Sequence, residues 1–181
     1  MGSLCITVPD ELFAVAESSS FAGTYDLASL EYSSNEFRFE EPLTYSVQIS
    51  NTGGALYVGG TVEGDAAVDC VRCLEEARYH LCGEVEGYFL ISDSGKELTE
   101  EEEDEYEVLP EDHIIDLEPL LRAALVLEMP LGPLCDDDCK GLCPQCGANL
   151  NKESCSCEPE ESFEPKNPFS VLKTIRFLSL I

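Results

Sequence analysis

The sequence predicts an α+β protein: a twisted antiparallel β-meander or partly open barrel, one packed helix and a small cysteine-rich segment. Three observations lead to this prediction. Apolar and polar residues alternate over consecutive stretches between 43 and 91, a later stretch has helical periodicity, and six cysteines fall within 23 residues. The 181 residues suffice for one domain with an appended segment. We expect a β-rich body at 1–130, the cysteine-rich segment at 131–158 and a C-terminal tail at 159–181.

The predicted strands follow from the side-chain alternation. Residues 43–50 alternate apolar and polar without a fault, and the Asn-Thr-Gly-Gly sequence at 51–54 supplies a turn. Apolar residues then occupy even positions from 56 to 70 and odd positions from 77 to 91. Consecutive alternating strands with short turns predict an antiparallel meander with one solvated face. The glycines within these strands predict bulges or strong bends, as in a curled sheet.

The segments that flank the meander are less regular. Residues 9–16 predict a short helix, and 21–40 predict further strands of the sheet. Residues 97–118 hold twelve acids and no Lys or Arg, which favours a solvated loop; a nucleic-acid mimic that docks a basic protein is the alternative. At 116–128 an apolar stripe, an Asp that can cap the first turn and a Pro in that turn predict a helix packed on the sheet.

The charge balance excludes several classes of partner. Ten Lys and Arg against 37 Asp and Glu give a net charge of −27. Proteins that bind nucleic acid through their surface normally carry a basic footprint, so binding of RNA, DNA or an anionic membrane through the general surface is not expected. The start of the chain lacks the charged and long apolar regions of a signal peptide. We therefore expect a cytoplasmic protein, in which clustered cysteines bind metal rather than form disulfides.

The cysteine-rich segment predicts a structural zinc site. Its Cys143-Pro-Gln-Cys146-Gly147 sequence is typical of a zinc knuckle, because two thiolates three residues apart can hold one ion at about 2.3 Å and the glycine can adopt a positive φ. The other two ligands could be the cysteine pair upstream or the pair downstream, and a rubredoxin-like iron site is the alternative for the metal. We expect one ion per chain, with its ligands among the six cysteines of the segment: Cys135, Cys139, Cys143, Cys146, Cys155 and Cys157.

A second C-x2-C sequence lies at Cys70 and Cys73, between two predicted strands. It lacks the proline and glycine of a good knuckle, so the favoured interpretation is a pair of thiols that fix the turn; a metal half-site and a redox dithiol are the alternatives. The two histidines, His80 and His113, are expected at the surface. No nucleophile–base pair, phosphate-binding loop or open metal site emerges from the spacing, so we expect no enzymatic activity.

Five stretches together resemble one protein family. They are residues 21–25, 69–74 (Asp-Cys-Val-Arg-Cys-Leu), 115–122, 135–157 with its Cys-Lys-Gly-Leu-Cys-Pro-Gln-Cys-Gly string, and 167–173 (Asn-Pro-Phe-Ser-Val-Leu-Lys). In this order they resemble the YceD family of large ribosomal RNA subunit accumulation proteins. The resemblance implies a bacterial cytoplasmic protein that supports synthesis, processing or stability of 23S rRNA.

Two functions are therefore weighed. The first is a non-enzymatic ribosome-assembly factor that contacts a large-subunit precursor or a basic ribosomal protein and holds zinc as a structural ion. The second is a zinc- or redox-responsive regulator that acts through its cysteine cluster. The resemblance also implies that the zinc segment does not carry the whole family function, because some members keep the C-x-R-C pair without the distal cysteines.

The C-terminal tail differs in charge from the rest of the chain and generates a prediction. Residues 165–181 contain Lys166, Lys173 and Arg176 and no acid. The favoured interpretation is a terminal helix that docks on its own acidic domain. The functional alternative is a peptide whose three basic residues meet phosphate on an assembling large subunit, and a membrane-surface role is the third. We predict that deletion of 165–181 leaves the fold intact and abolishes co-sedimentation with large-subunit precursors. A truncated protein that co-sediments normally at the same salt concentration would show that the tail is only structural.

Overall fold

The computed structural model describes residues 4–91 and 106–157. The whole predicted C-terminal tail, including Lys166, Lys173 and Arg176, lies outside these ranges, as do residues 97–105 of the acidic stretch. The described elements, in chain order, are β1 Cys5–Thr7, a 3₁₀ helix Asp10–Phe13, β2 Ser18–Tyr25, β3 Ser29–Tyr32, β4 Asn35–Phe39, β5 Leu43–Asn51, β6 Ala55–Asp69, β7 Glu76–Leu90, β8 Tyr106–Val108, β9 Ile114–Asp116 and α1 Glu118–Glu128.

A long hairpin of β6 and β7 organises the main sheet. Its antiparallel pairing runs without interruption from Ala55 opposite Leu90 to Asp69 opposite Glu76. On the other side of β6, β5 pairs with the first half of the strand and β4 with the second half, while β2 and β3 extend the sheet beyond β5 and β4. Short β8 joins β7 in parallel, and β1 and β9 form a separate antiparallel pair. The expected mainly antiparallel sheet is confirmed, and the described strands do not close into a barrel.

The main core lies between the inner face of this sheet and α1. The even positions of β6 and the odd positions of β7 point inward as the alternation predicts; Val58, Val62 and Leu81 are examples, each at most 2% exposed. Leu121 and Leu125 of α1 are fully buried against them. The helix begins close to its predicted start, where the Asp116 carboxylate accepts a hydrogen bond from the Glu118 N–H at 3.0 Å.

The bulges expected at the strand glycines are absent from the two main pairings, and one glycine has a role that the sequence did not predict. The β6–β7 and β5–β6 pairings contain no bulge. Instead, Gly83 of β7 lies directly under α1: a Cβ placed on it would be 2.5 Å from the Ala124 carbonyl oxygen and 3.1 Å from the Ala124 Cβ. The glycine therefore lets the helix backbone approach the strand, and sequence alternation cannot show this because it depends on a partner more than 40 residues away.

Several flanking predictions change in detail. The short helix expected at 9–16 is a 3₁₀ helix at Asp10–Phe13, and the region 21–40 supplies β2, β3 and β4. The described part of the acidic stretch is not simply a loop, because it forms β8 and β9. Within the described ranges, no helix combines the length and apolarity needed to cross a bilayer.

After α1 the chain returns to the end of the sheet where β6 turns into β7. The Val71 N–H donates to the Pro133 carbonyl at 2.9 Å, and the Tyr79 hydroxyl bonds both the N–H and the carbonyl of Leu134 at 2.8 Å. Asn35 of β4 adds a hydrogen bond to the Leu131 carbonyl at 3.2 Å. These contacts place the cysteine-rich segment over the β6–β7 turn.

We predict that Gly83→Ala destabilises the protein by about 1–3 kcal/mol, because the new methyl group must displace the α1 backbone. Denaturant unfolding followed by circular dichroism at constant buffer composition measures the change. Gly132→Ala is the matched control, since a Cβ there meets only Val71 Cγ2 at 3.9 Å and the expected change is within about 0.5 kcal/mol. Equal effects of the two substitutions would contradict the proposed packing of α1 on Gly83.

Candidate metal centres

The first cysteine group joins two distant parts of the chain. Cys70 and Cys73 come from the turn between β6 and β7, and Cys135 and Cys139 come from the segment after α1. All four sulfurs lie within 4.8 Å of one another. The Cys70 and Cys139 sulfurs are 3.7 Å apart, and those of Cys73 and Cys135 are 3.5 Å apart. Three of the four cysteines are buried and Cys135 is exposed.

The Cys70–Cys73 turn has the geometry of a zinc knuckle despite its sequence. The Leu74 N–H donates to the Cys70 carbonyl at 2.9 Å, and Leu74 has a φ of 60°. A non-glycine residue in this left-handed region costs about 1–2 kcal/mol. Because the Leu74 side chain is exposed, the packing of that side chain does not offset this cost, and the turn is held in place by the groups around it.

The second cysteine group is local in sequence. Cys143, Cys146, Cys155 and Cys157 also place their sulfurs within 4.8 Å of one another. As the knuckle sequence predicts, Gly147 has a positive φ of 74°, and its N–H donates to the Cys143 carbonyl at 2.9 Å. The turn thus repeats the hydrogen bond of the Cys70–Cys73 turn, with glycine at the position that Leu74 occupies in the first group.

Hydrogen-bond donors favour ionisation of some thiols of the first group over others. Burial opposes ionisation of Cys70, but the N–H groups of Cys73, Cys135 and Arg72 lower the pKa of Cys70 to about 6. Hydrogen bonding to the Cys73 sulfur raises the pKa of Cys135 to about 12. The hydrogen bond from Asn151 also lowers the pKa of Cys139, so without a cation Cys70 and Cys139 ionise more readily than Cys135.

The second group shows the same division. The N–H groups of Cys146 and Gln145 lower the pKa of Cys143 to about 6, whereas hydrogen bonding to the Cys146 sulfur raises the pKa of Cys157 to about 12. Four thiolates so close together require a compensating positive charge. A divalent ion at the centre of each group would supply it and release the remaining protons.

The sulfur spacing fits a four-coordinate metal ion. Tetrahedral coordination with metal–sulfur bonds of about 2.3 Å separates the sulfurs by about 3.8 Å, close to the 3.5 and 3.7 Å found in the first group. A disulfide would need a sulfur–sulfur distance of about 2.0 Å. Four thiols with tetrahedral spacing fit zinc or iron, and a set of four protein ligands leaves no position open for substrate.

The structure shows which cysteines lie close enough together to bind one ion. The downstream pair, Cys155 and Cys157, joins the knuckle, while the upstream pair joins Cys70 and Cys73. Two four-cysteine groups that could each hold a metal ion are therefore present where one site was expected among six cysteines, and Cys70 and Cys73 belong to the first of them. The number of cysteine pairs in the sequence could have predicted this. Two C-x2-C pairs and two further cysteine pairs provide eight ligands, which is enough for two four-cysteine sites.

The remaining candidate residues lie apart from these groups or outside the described ranges. Cys5 and Cys82 are exposed and belong to neither group. His80 is exposed on the sheet with its Nδ1 2.8 Å from the Asp65 carboxylate, and His113 is exposed with its ring centroid 4.6 Å from that of Phe13. The possible phosphate contacts of the tail, Lys166, Lys173 and Arg176, lie outside the described residues.

We predict that the protein binds about two equivalents of zinc per chain, one in each group. Cys73→Ser and Cys146→Ser should each leave about one equivalent, because each removes one of four ligands from a different group. Cys82→Ser is the control and should retain both ions. Elemental analysis of the purified full chain measures the content. One equivalent in the unchanged protein, lost in Cys146→Ser and kept in Cys73→Ser, would instead support a single site.

Comparison with known proteins identifies the family. The family model described as "Large ribosomal RNA subunit accumulation protein YceD" matches residues 58–176, which include nearly all of β6 and both cysteine groups. An uncharacterized protein of Mycobacterium tuberculosis is 35% identical over 111 residues, which are 61% of this chain and 53% of the relative. An uncharacterized protein of Mycobacterium leprae is 32% identical over 109 residues, 60% of this chain and 49% of the relative.

Plant relatives carry the family description in their names. The Zea mays protein named "Large ribosomal RNA subunit accumulation protein YCED homolog 1, chloroplastic" is 25% identical over 181 residues, covering 85% of this chain and 59% of its own length. This chain spans about half the length of the mycobacterial relatives that it matches. No solved structure matches the chain. The family model covers well over half of the sequence, including most of β6 and both cysteine groups. The chain therefore belongs to the YceD family of large ribosomal RNA subunit accumulation proteins.

Proposed function

We propose that this protein is a non-enzymatic factor that supports synthesis, processing or stability of 23S rRNA while the large ribosomal subunit assembles in the cytoplasm. Family membership supports the link to large-subunit rRNA. The observation that carries the mechanistic part of the proposal is the first cysteine group, because it joins the β6–β7 turn to the segment after α1. In this proposal Zn²⁺ is a structural ion that holds these parts in one arrangement.

The composition of the two groups supports a structural role for the metal. Each group offers four thiols to one ion, and zinc held by four cysteines is generally closed to substrate. In the described chain the two histidines, His80 and His113, are exposed and belong to neither group. The described histidines therefore give no support to a catalytic metal site in either group.

The charge of the protein supports a protein partner on the assembling subunit. The net charge is −27, and the exposed side of β6 and β7 carries acids such as Glu63, Asp65 and Glu84. Such a surface repels phosphate and attracts basic proteins at long range. A basic ribosomal protein within a large-subunit precursor is therefore the proposed contact, and direct contact with RNA would fall to the C-terminal tail.

A second candidate is a zinc- or redox-responsive regulator. It is favoured by one observation: each group contains an exposed ligand, Cys135 in the first and Cys146 in the second. Exposed thiols are the ones that oxidants reach first, and their oxidation would release the metal. In this alternative, loss of either group would change the response to oxidant or zinc without lowering 23S rRNA under ordinary growth.

We predict that depletion of the protein in its own host lowers mature 23S rRNA relative to 16S rRNA, and that the wild-type gene restores the ratio. Cys73→Ser should restore it poorly, because the first group no longer holds the segment after α1, whereas Cys82→Ser should restore it fully. Quantification of rRNA and of precursors that co-purify with the tagged protein measures both effects.

Two results would contradict the proposal. An unchanged 23S to 16S ratio after depletion would argue against a role in rRNA accumulation. RNA cleavage or modification that follows the pure protein through purification would argue against a non-enzymatic factor.

A further inference from the structure

The second cysteine group lies in a small hairpin that returns to the first group. The Cys143 N–H donates to the Ala148 carbonyl at 2.8 Å, and the Leu150 N–H donates to the Gly141 carbonyl at 2.9 Å. The hairpin turn carries Cys143 and Cys146, two of the second group's ligands. The chain that leaves this hairpin passes beside Cys139, a ligand of the first group.

Asn151 makes the contact between the two groups. Its Nδ2 donates to the Cys139 sulfur at 3.2 Å, and its Oδ1 accepts the Lys140 N–H at 2.7 Å. Since a backbone N–H can only donate, the second bond fixes which end of the amide faces the sulfur. The Asn151 N–H in turn donates to the Asn149 Oδ1 at 3.0 Å, which holds the residue within the hairpin.

Other contacts hold the hairpin on the β6–β7 turn. The Leu142 N–H donates to the Arg72 carbonyl at 3.0 Å, and the Arg72 guanidinium donates to the Cys139 carbonyl at 3.0 Å. Glu75 accepts a bond from Lys152 at 2.8 Å, but both side chains are about half exposed or more. An ion pair so exposed contributes at most about 1 kcal/mol, so Asn151 is the contact that acts directly on a ligand.

We propose that the two cysteine groups form one coupled two-metal unit, in which the loaded second group holds Asn151 as a donor to Cys139 and so strengthens metal binding by the first group. The inference rests on the metal binding proposed above but not on the role in rRNA accumulation. An N–H donated to a ligand sulfur stabilises the thiolate that the metal requires. Loss of such an outer hydrogen bond typically lowers metal affinity about 10- to 100-fold.

The sequence separation of the ligands predicts the order of loading. In the first group, Cys70 and Cys139 are 69 residues apart and Cys73 and Cys135 are 62 apart, so the group needs the folded sheet. The four ligands of the second group fall between residues 143 and 157 and can gather around an ion locally. A metal in the second group would then order the loop that carries Asn151, and by reciprocity the first metal would strengthen the second.

Titration of the metal-free full chain with Co²⁺ tests the inference, because cobalt–thiolate absorption counts the sulfurs bound at each step. We expect Asn151→Ala to lower the Co²⁺ affinity of the first group about 10- to 100-fold. The intrinsic affinity of the second group, measured in the Cys73→Ser background, should not change. Lys152→Ala is the matched control, since it removes a neighbouring exposed contact, and it should titrate like the wild type. Asn151→Asp keeps the oxygen that accepts the Lys140 N–H and loses the N–H that is donated to the Cys139 sulfur. It should therefore lower the metal affinity of the first group at least as much as Asn151→Ala does, and it replaces the alanine variant if that variant folds poorly.

A double-variant comparison separates coupling from simple support of Cys139. In the Cys146→Ser background only the first group is complete, and we expect its affinity to be already reduced by a similar factor, with little further loss from Asn151→Ala. Wild-type affinities in Asn151→Ala would overturn the inference. If Asn151→Ala lowered the metal affinity of the first group by its full factor in the Cys146→Ser background as well, the inference would also be overturned, because Asn151 would then act without the second metal. Both readouts are metal affinities, so they stand apart from the rRNA measurements.

Discussion

The contact between the β6–β7 turn and the chain after α1 determines how one end of this protein is built. The hairpin delivers Cys70 and Cys73 to a fixed place, and Pro133 and Leu134 are hydrogen-bonded there through Val71 and Tyr79. Once these backbone contacts form, the next cysteines of the chain lie over the turn and complete the first group. The second group then follows on a hairpin that the same turn holds.

The proposed metal coordination is compatible with the strongly negative charge of the chain. Four thiolates around one divalent ion leave two negative charges, so a loaded group neutralises its own repulsion without becoming an attractive site for phosphate. Each group can therefore be stabilised inside a protein of net charge −27 while the surface stays acidic. This agrees with the proposed partner, which is a basic protein rather than bare RNA.

The sequence predicts the local features of the structure well and the long-range ones poorly, for identifiable reasons. Alternation locates β5, β6 and β7 because burial on one face repeats every two residues, and it places Leu56 and Val85 correctly in the core. It does not show that β4 pairs with β6. The knuckle at Cys143 is recognisable because its glycine and proline are local; the Cys70–Cys73 turn hides the same geometry behind Leu74, which is held at positive φ by tertiary context.

The distribution of buried residues supports the proposed metal sites at this end of the molecule. The main core is one large apolar cluster between the sheet and α1. The second cluster consists of Cys70, Cys73 and Cys139, and among residues 4–91 and 106–157 the partly buried apolar side chains packed against it are Leu134 and Leu142. Two partly buried leucines contribute a few kcal/mol at most, whereas structural zinc in small cysteine sites supplies about 10–16 kcal/mol of apparent binding free energy at neutral pH. The thiols thus form most of the core of the segment after α1, and the proposed metal binding would order this segment, while the β-rich body is stabilised by its own apolar core.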